Sequence, residues 1–370
     1  DLHLAWLGDL LASHPGIARG RAYFAVSPAL QRPVTHFGVV PVGLASDLAY
    51  FGPDIAAELG PLLIWHPALA VTDEAEWARR TALHLAAAED LSLVSVWSPT
   101  FLARLLDQVL QDVSLPRLLH DGAHGLPPRP DRAKALEQAR LSGSLTGLWP
   151  RLALVSAWAD AASARPAKDL QKQLQGVPFQ PKGLLATEGF FTLPLVGLPF
   201  ALPALTGAIL EFEDATGTTH LIDNLEPGAV YGLIVSTRGG LQRYRMGDRV
   251  RAMGVPDPSE GWPPVHMLRF EGRSAGSDLV GEKLDEAFVL TCLTGFATSA
   301  FLAAGDTGYD LWLDPRDQNA MPPEFLTLLD TRLSHNPQYD YARRIGQLRP
   351  PRLRLCADLA ARYRLFRLGL

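Results

Sequence analysis

The sequence predicts a mixed α/β protein in two parts: a large N-terminal α/β portion ending in an antiparallel β meander, and a smaller C-terminal α+β portion. Three observations predict it. Between residues 73 and 175, helical and strand-like periodicities alternate, which is the rhythm of an α/β architecture. From Gly207 the texture changes to short strands separated by glycine- and proline-bearing turns. After Gly272-Arg273 a polar segment, Ser274 to Asp278, leads into a stretch where helix and strand patterns return. A length of 370 residues suits two domains of ordinary size, expected as 1–272 and 273–370.

Taken in order, Asp73 to Asp90 places Trp77, Ala82, Leu83, Leu85 and Ala86 at helical spacing behind Asp73-x-x-Glu76. That is a capping-box start, and it predicts an amphipathic helix. Leu91 to Trp97 alternates with period two and predicts a strand. Ser98-Pro99 then offers an N-cap and a proline at the first helical position. Helix, strand and helix follow again over Asp131 to Leu141, Arg151 to Trp158 and Ala164 to Gln175, with Gly122 to Pro130 expected as a surface loop. The meander strands are Ala208 to Glu213, His220 to Asp223, Val230 to Thr237, Tyr244 to Met253 and His266 to Glu271. Beyond a boundary expected at residues 272–278 come a helix over Lys283 to Thr294, a strand over Tyr309 to Leu313 and a helix over Pro323 to Leu333. A basic stretch from Arg343 to Arg367 follows.

Composition narrows the function classes. Hydrophobic residues at 47% and charged residues at 20% are enough to bury a core and exclude wholesale disorder. The 34 basic side chains against 39 acidic ones leave a net charge of −5, without the basic field that recruits nucleic acid or an anionic membrane. Cys292 and Cys356 are too few for a disulfide framework and lack the paired spacing of a zinc site, so a reducing cytoplasm is the expected location. The most apolar stretch, Phe190 to Ala208, is broken by Pro194, Pro199 and Pro203, and no spanning helix is expected. The chain opens on Asp1 without a secretion signal, and its true N-terminus is expected to lie upstream. Nothing in the residues argues for an oligomer, and a monomer is expected.

Several common sites drop out. Lysine occurs at 134, 168, 172, 182 and 283, followed by Ala135, Asp169, Gln173, Gly183 and Leu284, so no Walker phosphate loop is present. Ser142 to Gly147 resembles a phosphate cradle, but Trp149-Pro150 denies it the helix N-terminus such a loop needs. His120 and His124 stand four apart, a metal-ligand spacing only on a helix, and Gly122 between them argues for loop histidines.

Two clusters remain. In Lys182-Gly-Leu-Leu-Ala-Thr-Glu-Gly189 a short apolar strand ends in a hydroxyl and a carboxylate, Thr187 and Glu188. These suit one phosphate hydrogen bond and one hard oxygen ligand for magnesium, or a helix N-cap with its dipole-complementing acid. In Tyr244-Arg-Met-Gly-Asp248 a carboxylate follows a glycine at the start of a strand. It can accept two hydrogen bonds from the vicinal diol of a ribose, or sit in a β-turn paired with Arg245 or Arg249. Phe270-Glu-Gly-Arg273, then Gly281-Glu-Lys283-Leu-Asp-Glu286, adds a guanidinium that can swing toward phosphate or simply face solvent.

Thr-Glu-Gly, Tyr-Arg-x-Gly-Asp, Gly-Arg and Gly-x-Lys-x-x-Glu, in that order, resemble the adenylate-forming enzymes, and specifically the auxin-responsive Gretchen Hagen 3 acyl-acid amido synthetase family in a bacterial-type variant. Val96-Trp-Ser-Pro-Thr100, Leu148-Trp-Pro-Arg-Leu152 and Asn336-Pro-Gln-Tyr-Asp-Tyr-Ala-Arg343 support the likeness, which extends over nearly the whole chain.

The resemblance implies a large N-terminal domain and a C-terminal lid, with ATP, magnesium and an acyl acid held between them, and an amine or amino acid as acceptor. It implies that Thr187 contacts the α-phosphate, Glu188 holds magnesium, Asp248 grips the ribose, and Tyr244 and Arg273 complete the nucleotide site. Glu188 and Arg273 are then the catalytic pair, and Val155, Trp158 and Ala159 border the acyl pocket. Three departures accompany it. The family's Ser/Thr/Gly-rich phosphate loop is expected upstream of Asp1; Leu184 stands where an adenine-stacking aromatic is usual; and no lysine follows Lys283. Those departures keep two other readings open, a catalytically degenerate nucleotide- or acyl-binding protein and an acyl-CoA ligase.

Overall fold

The structure, a computed structural model, describes residues 2–24, 35–37, 40–42, 57–58, 60–64, 69, 71, 73–273, 279, 282, 284–296, 300–305, 307–318, 321–344 and 348–368. It divides into two compact units. The first is Asp1–Ala229, Ile234–Tyr244 and Arg251–Phe270; the second is Val230–Leu233, Arg245–Val250 and Glu271–Leu370. A single cut near residue 272 would miss the two short strand segments, 230–233 and 245–250, that group with the C-terminal part.

At the centre of the first unit is a parallel sheet in the order β1 (Arg21–Phe24), β4 (Leu91–Ser95), β5 (Leu154–Ala157) and β6 (Phe179–Pro181). The helices α2 (Glu74–Ala87), α3 (Pro99–Gln111), α4 (Leu115–Asp121), α5 (Pro130–Ser142) and α6 (Ala164–Gln173) contribute to one continuous core with Val94 and Val155. Trp6 and Leu10 of α1 (Leu2–Ser13) pack with Leu93 and Leu154 in a second cluster. Helices on both faces explain why all five residues of β4 are buried although the sequence alternates. The buried Ser92 is tolerated because its Oγ donates to the Ile17 carbonyl at 2.8 Å.

The helix starts follow local chemistry. Asp73 caps α2 by accepting from the Glu76 N–H at 2.7 Å, while the Glu76 carboxylate turns to Arg79 and Arg80, so only half of the capping box forms. Ser98 caps α3, with Pro99 in its first turn. Gly143, left-handed at φ 65°, closes α5, and the Ser144 and Thr146 hydroxyls both reach Gln175 Oε1. The glycine-serine run therefore serves as a helix terminus. His120 lies in the last turn of α4 and His124 in the loop beyond Gly122, so the two do not share a helix face.

After β6 come short hairpins: β7 (Leu185–Ala186) with β8 (Gly189–Phe190), and β9 (Thr192–Leu193) with β10 (Leu202–Pro203), both antiparallel. Upstream, β2 (Thr35–Phe37) pairs with β3 (Val40–Val42) in the same sense. The five meander strands are β11 (Ala208–Glu213), β12 (Thr219–His220), β13 (Val230–Thr237), β14 (Tyr244–Ala252) and β15 (Leu268–Arg273), in the order β12-β11-β13-β14-β15. That order departs from a simple meander: β12 is only two residues long and takes the outer edge beside β11, because the chain turns into a 3₁₀ helix at Ile222–Asn224.

The second unit has its own core. In it β16 (Phe301–Ala304) pairs antiparallel and β18 (Arg349–Leu355) parallel with β17 (Gly308–Leu313). Helices α7 (Glu286–Cys292), α8 (Pro315–Gln318), α9 (Phe325–Leu333), α10 (Pro337–Arg344) and α11 (Leu359–Leu368) accompany the sheet. Tyr309, Leu311 and Leu313 face Leu329, Leu333 and Tyr339 in the core. The basic stretch from Arg343 thus contains a strand and a helix. Among the described residues no helix is long and apolar enough to cross a membrane.

Candidate functional site

Strand β14 carries the Tyr244 to Asp248 motif. From Met246 onward its residues alternate strictly, with Met246, Asp248, Val250 and Ala252 buried and the residues between them half-buried. Asp248 is thus a carboxylate on an apolar strand face, only 5% exposed, and such a group requires a partner. Arg273 at the end of β15 supplies one: its Nε lies 3.2 Å from Asp248 Oδ1, and its terminal nitrogen donates to the Met246 carbonyl at 3.0 Å. The Arg273 side chain remains 60% exposed, so one end of this buried pair opens to solvent. Both residues follow a glycine of positive φ, Gly247 at 77° and Gly272 at 113°. These torsions reset the strand just before the Asp248 and Arg273 side chains, which an L-residue does only under strain. Asp248 lies within a strand, so the β-turn alternative does not hold. Tyr244, at the strand's start, is exposed.

Thr187 and Glu188 are the two turn residues of the β7–β8 hairpin, closed by the pairing of Ala186 with Gly189. They sit neither at a helix N-terminus nor on the end of the parallel sheet. The sheet's last strand finishes at Pro181, and the chain runs on into a separate hairpin. Thr187 is exposed and Glu188 half-buried, so the hydroxyl and part of the carboxylate reach solvent. Among the described residues no cluster of three or more His, Cys, Asp or Glu could enclose a metal. A lone carboxylate beside a hydroxyl fits the way magnesium is usually held with nucleotide phosphates, with few protein ligands. Leu184 is half-buried and donates its N–H to Thr192 Oγ1 at 2.7 Å.

Thr187, Glu188, Tyr244, Val155, Trp158 and Ala159 belong to the first unit, whereas Asp248 and Arg273 belong to the second and are joined there. Lys283 and the polar segment 274–278 lie outside the described residues. Val155 is fully buried within the helix-covered core, so it supports the sheet and does not line a pocket. Trp158 emerges from the carboxyl end of β5 at 40% exposure, with Ala159 half-buried beside it.

The same edge brings Trp158 together with residues to which the sequence reading gave no role. Lys182, just past β6, donates to Ser95 Oγ of β4 at 2.8 Å, and its Nζ lies 4.9 Å from the Trp6 ring centre and 5.1 Å from that of Trp97. Trp97 and Trp158 stand 5.7 Å apart, tilted by 46°. The available signal was the spacing of two along each strand: 95 and 97, 156 and 158, 180 and 182.

Comparison with known proteins gives this arrangement a setting. Residues 206–259, which include Tyr244 and Asp248, match the GH3 family central domain. That stretch is similar to a GH3 central domain. A probable indole-3-acetic acid-amido synthetase, GH3.9, of Oryza sativa subsp. japonica is 30% identical over 158 residues, covering 40% of this chain and 34% of that protein. The chain spans about a third of the length of this curated relative. Among solved structures, a GH3.15 acyl acid amido synthetase aligns at a TM-score of 0.74 and 15% identity, over 98% of this chain and 73% of that one. The same enzyme in complex with 2,4-DB aligns at 0.72 and 15%, over 98% and 71%. The fold is therefore the GH3 fold, as the ordered motifs implied. Asp248 falls inside the matched GH3 central domain, while Thr187, Glu188 and Arg273 lie outside it.

Proposed function

We propose that the chain activates a small carboxylic acid with ATP as an acyl-adenylate and transfers the acyl group to an amine, an amino acid, forming an amide. The observation that carries this reading is the buried Asp248, inside the stretch that matches the GH3 central domain, with Arg273 from beyond that stretch as its partner. A strand-held carboxylate beside a solvent-facing guanidinium can accept both hydroxyls of a ribose at the strength of charge-assisted bonds.

The chemistry explains why such a site is needed. Resonance makes a carboxylate a poor electrophile, so an amine cannot displace its oxygen at neutral pH. Attack of a carboxylate oxygen on the α-phosphorus of ATP expels pyrophosphate and leaves a mixed anhydride; the amine then attacks its carbonyl and AMP departs. In this reading Thr187 hydrogen-bonds the α-phosphate, Glu188 holds magnesium, Tyr244 and Asp248 bind the nucleoside, and Arg273 offsets charge on the phosphates. Magnesium, when bound, neutralises charge developing on the leaving pyrophosphate. Trp158 and Ala159 border the acyl group, and the aromatic acids named for the similar proteins suggest an aromatic acid here. The free thiols of Cys292 and Cys356 suit a reducing cytoplasm, the protein would work as a monomer, and the C-terminal part, 273–370, would act as the lid.

The test is acid-dependent exchange of pyrophosphate into ATP by the full-length protein, across a panel of carboxylic acids with magnesium. Exchange is expected, and Glu188→Ala or Asp248→Ala should each lower it by about 100-fold or more, the scale of losing one electrostatic stabiliser. Undiminished exchange in both variants would defeat the site assignment. Nucleotide binding without exchange would instead support the degenerate binding protein, and product formed only with coenzyme A would support the thioester ligase.

A further inference from the structure

Helices α4 and α5 run antiparallel in the first unit. At one end the Arg129 N–H donates to the Leu119 carbonyl at 2.7 Å, and at the other Arg140 Nη1 donates to the Asp112 carbonyl at 2.8 Å. Their inner faces, with Leu115, Leu119, Leu136 and Ala139, belong to the large core. Between their outer faces lies a groove of about 920 Å³, with the buried Pro116 and Ala133 in its apolar part. The α5 side runs from Pro130 to Leu141, about 16 Å of helix.

Charge in the groove is predominantly positive, on a chain whose net charge is −5. Arg117, His120, Lys134 and Arg140 line it against one acid, Glu137. Asp121 engages Arg117 at 3.5 Å and His120 at 2.9 Å. Lys134 has no ion-pair partner among the described residues, and Arg140 donates to a neutral carbonyl, which leaves its charge uncompensated. At the Arg140 end stand Val113 and Leu141, 79% and 89% exposed. One exposed aliphatic side chain needs no explanation, but two beside uncompensated cations in one groove have the composition of a docking surface.

We propose that this groove docks an acidic amphipathic helix of a partner protein. Glu137 stands between Lys134 and Arg140 along α5, about 9 Å of helix rise apart, so a compact polyanion would bring its charge against a carboxylate. Carboxylates spaced about one or two turns apart on a helix straddle Glu137 and meet the cations on either side. Apolar side chains of the same helix cover Val113 and Leu141, the helix-in-groove mode of recognition. The lining residues include none of those assigned to the nucleotide or the acyl acid, so docking here is separate from the activity proposed above.

Binding of a labelled synthetic peptide to the full chain, read by fluorescence anisotropy, tests it. The peptide has about 15 residues, long enough to form a helix, with leucines at helical spacing and glutamates between them. The same peptide with glutamine in place of glutamate is the control. Saturable binding of the acidic peptide is expected, at least about tenfold tighter than the control. Lys134→Glu should weaken it about tenfold or more, Leu141→Ser should weaken it severalfold, and Glu137→Gln should tighten it, all at exposed positions of α5. Lys168→Glu, at an exposed position of α6, should leave it unchanged. Absence of saturable binding, equal affinity for the two peptides, or Lys134→Glu and Leu141→Ser variants that bind as wild type does would each overturn the proposal. A loss in Lys168→Glu as large as in Lys134→Glu would reduce the binding to diffuse charge and overturn it as well. Displacement of the peptide by an equal concentration of inorganic pyrophosphate would assign the groove to a compact polyanion instead.

Discussion

One carboxylate on an apolar strand face concentrates the demands on this site, and the glycine before it bears much of the cost. A Cβ added at Gly247 would meet nothing within 4 Å, so Gly247→Ala carries torsional strain at φ 77° and no clash. We expect it to destabilise by about 1–3 kcal/mol, measured by urea unfolding, and to shift the Asp248 carboxylate enough to weaken nucleotide binding. A variant with unchanged midpoint and unchanged binding would show that the strand does not need this turn of the backbone. At this scale the sequence was partly legible. The motif exposed Asp248 directly, and the alternation Met246, Asp248, Val250 already places it among buried residues. Lys182 was less readable, because its partners come from α1 and two strands that lie far apart in the chain.

Elements join through a few side chains, and α9 with α10 offer a clear case. Asp330 accepts from Arg343 Nε at 2.9 Å and from the Tyr339 hydroxyl at 2.7 Å, while Arg343 also donates to the Leu348 carbonyl ahead of β18. Burial alone would raise the Asp330 carboxyl, but the Arg343 and Tyr339 hydrogen bonds outweigh it and hold the group below its ordinary 3.8. A carboxyl depressed in the folded state contributes stability above the unfolded value and loses it as pH falls through the folded one. Asp330→Asn should therefore destabilise at pH 7, and the gap to wild type should narrow as pH falls below 3.8, which unfolding midpoints at both acidities would reveal. A constant gap would contradict the linkage. Elements with strong local signals, such as the capped helices α2 and α3, were legible. Strand β18 was not, since Arg349-Pro-Pro argues locally against a strand, and only its place at the sheet edge beside β17 accommodates the prolines.

Over the whole molecule, the separate core memberships of the two units imply separable stability. Leu329 is fully buried with Leu311, Leu313 and Leu333 in the second unit, and Leu329→Ala should cost about 2–5 kcal/mol through the cavity it leaves. Calorimetry is expected to show that loss in one transition, with the transition of the Leu102 and Val155 core unmoved; a uniform shift of a single peak would mean the units melt together. The α/β rhythm and the change of texture at Gly207 were readable because they are local periodicities, whereas the exchange of segments 230–233 and 245–250 depends on packing across distant sequence. One feature of the second unit matters to the molecule among its neighbours in solution. The prolines at 350 and 351 lack N–H groups, and the arginines at 349, 352 and 354 share the same outer strand, the latter two paired with Asp310. A foreign strand finds no continuous hydrogen-bonding ladder there, so the margin of this small sheet resists edge-to-edge aggregation.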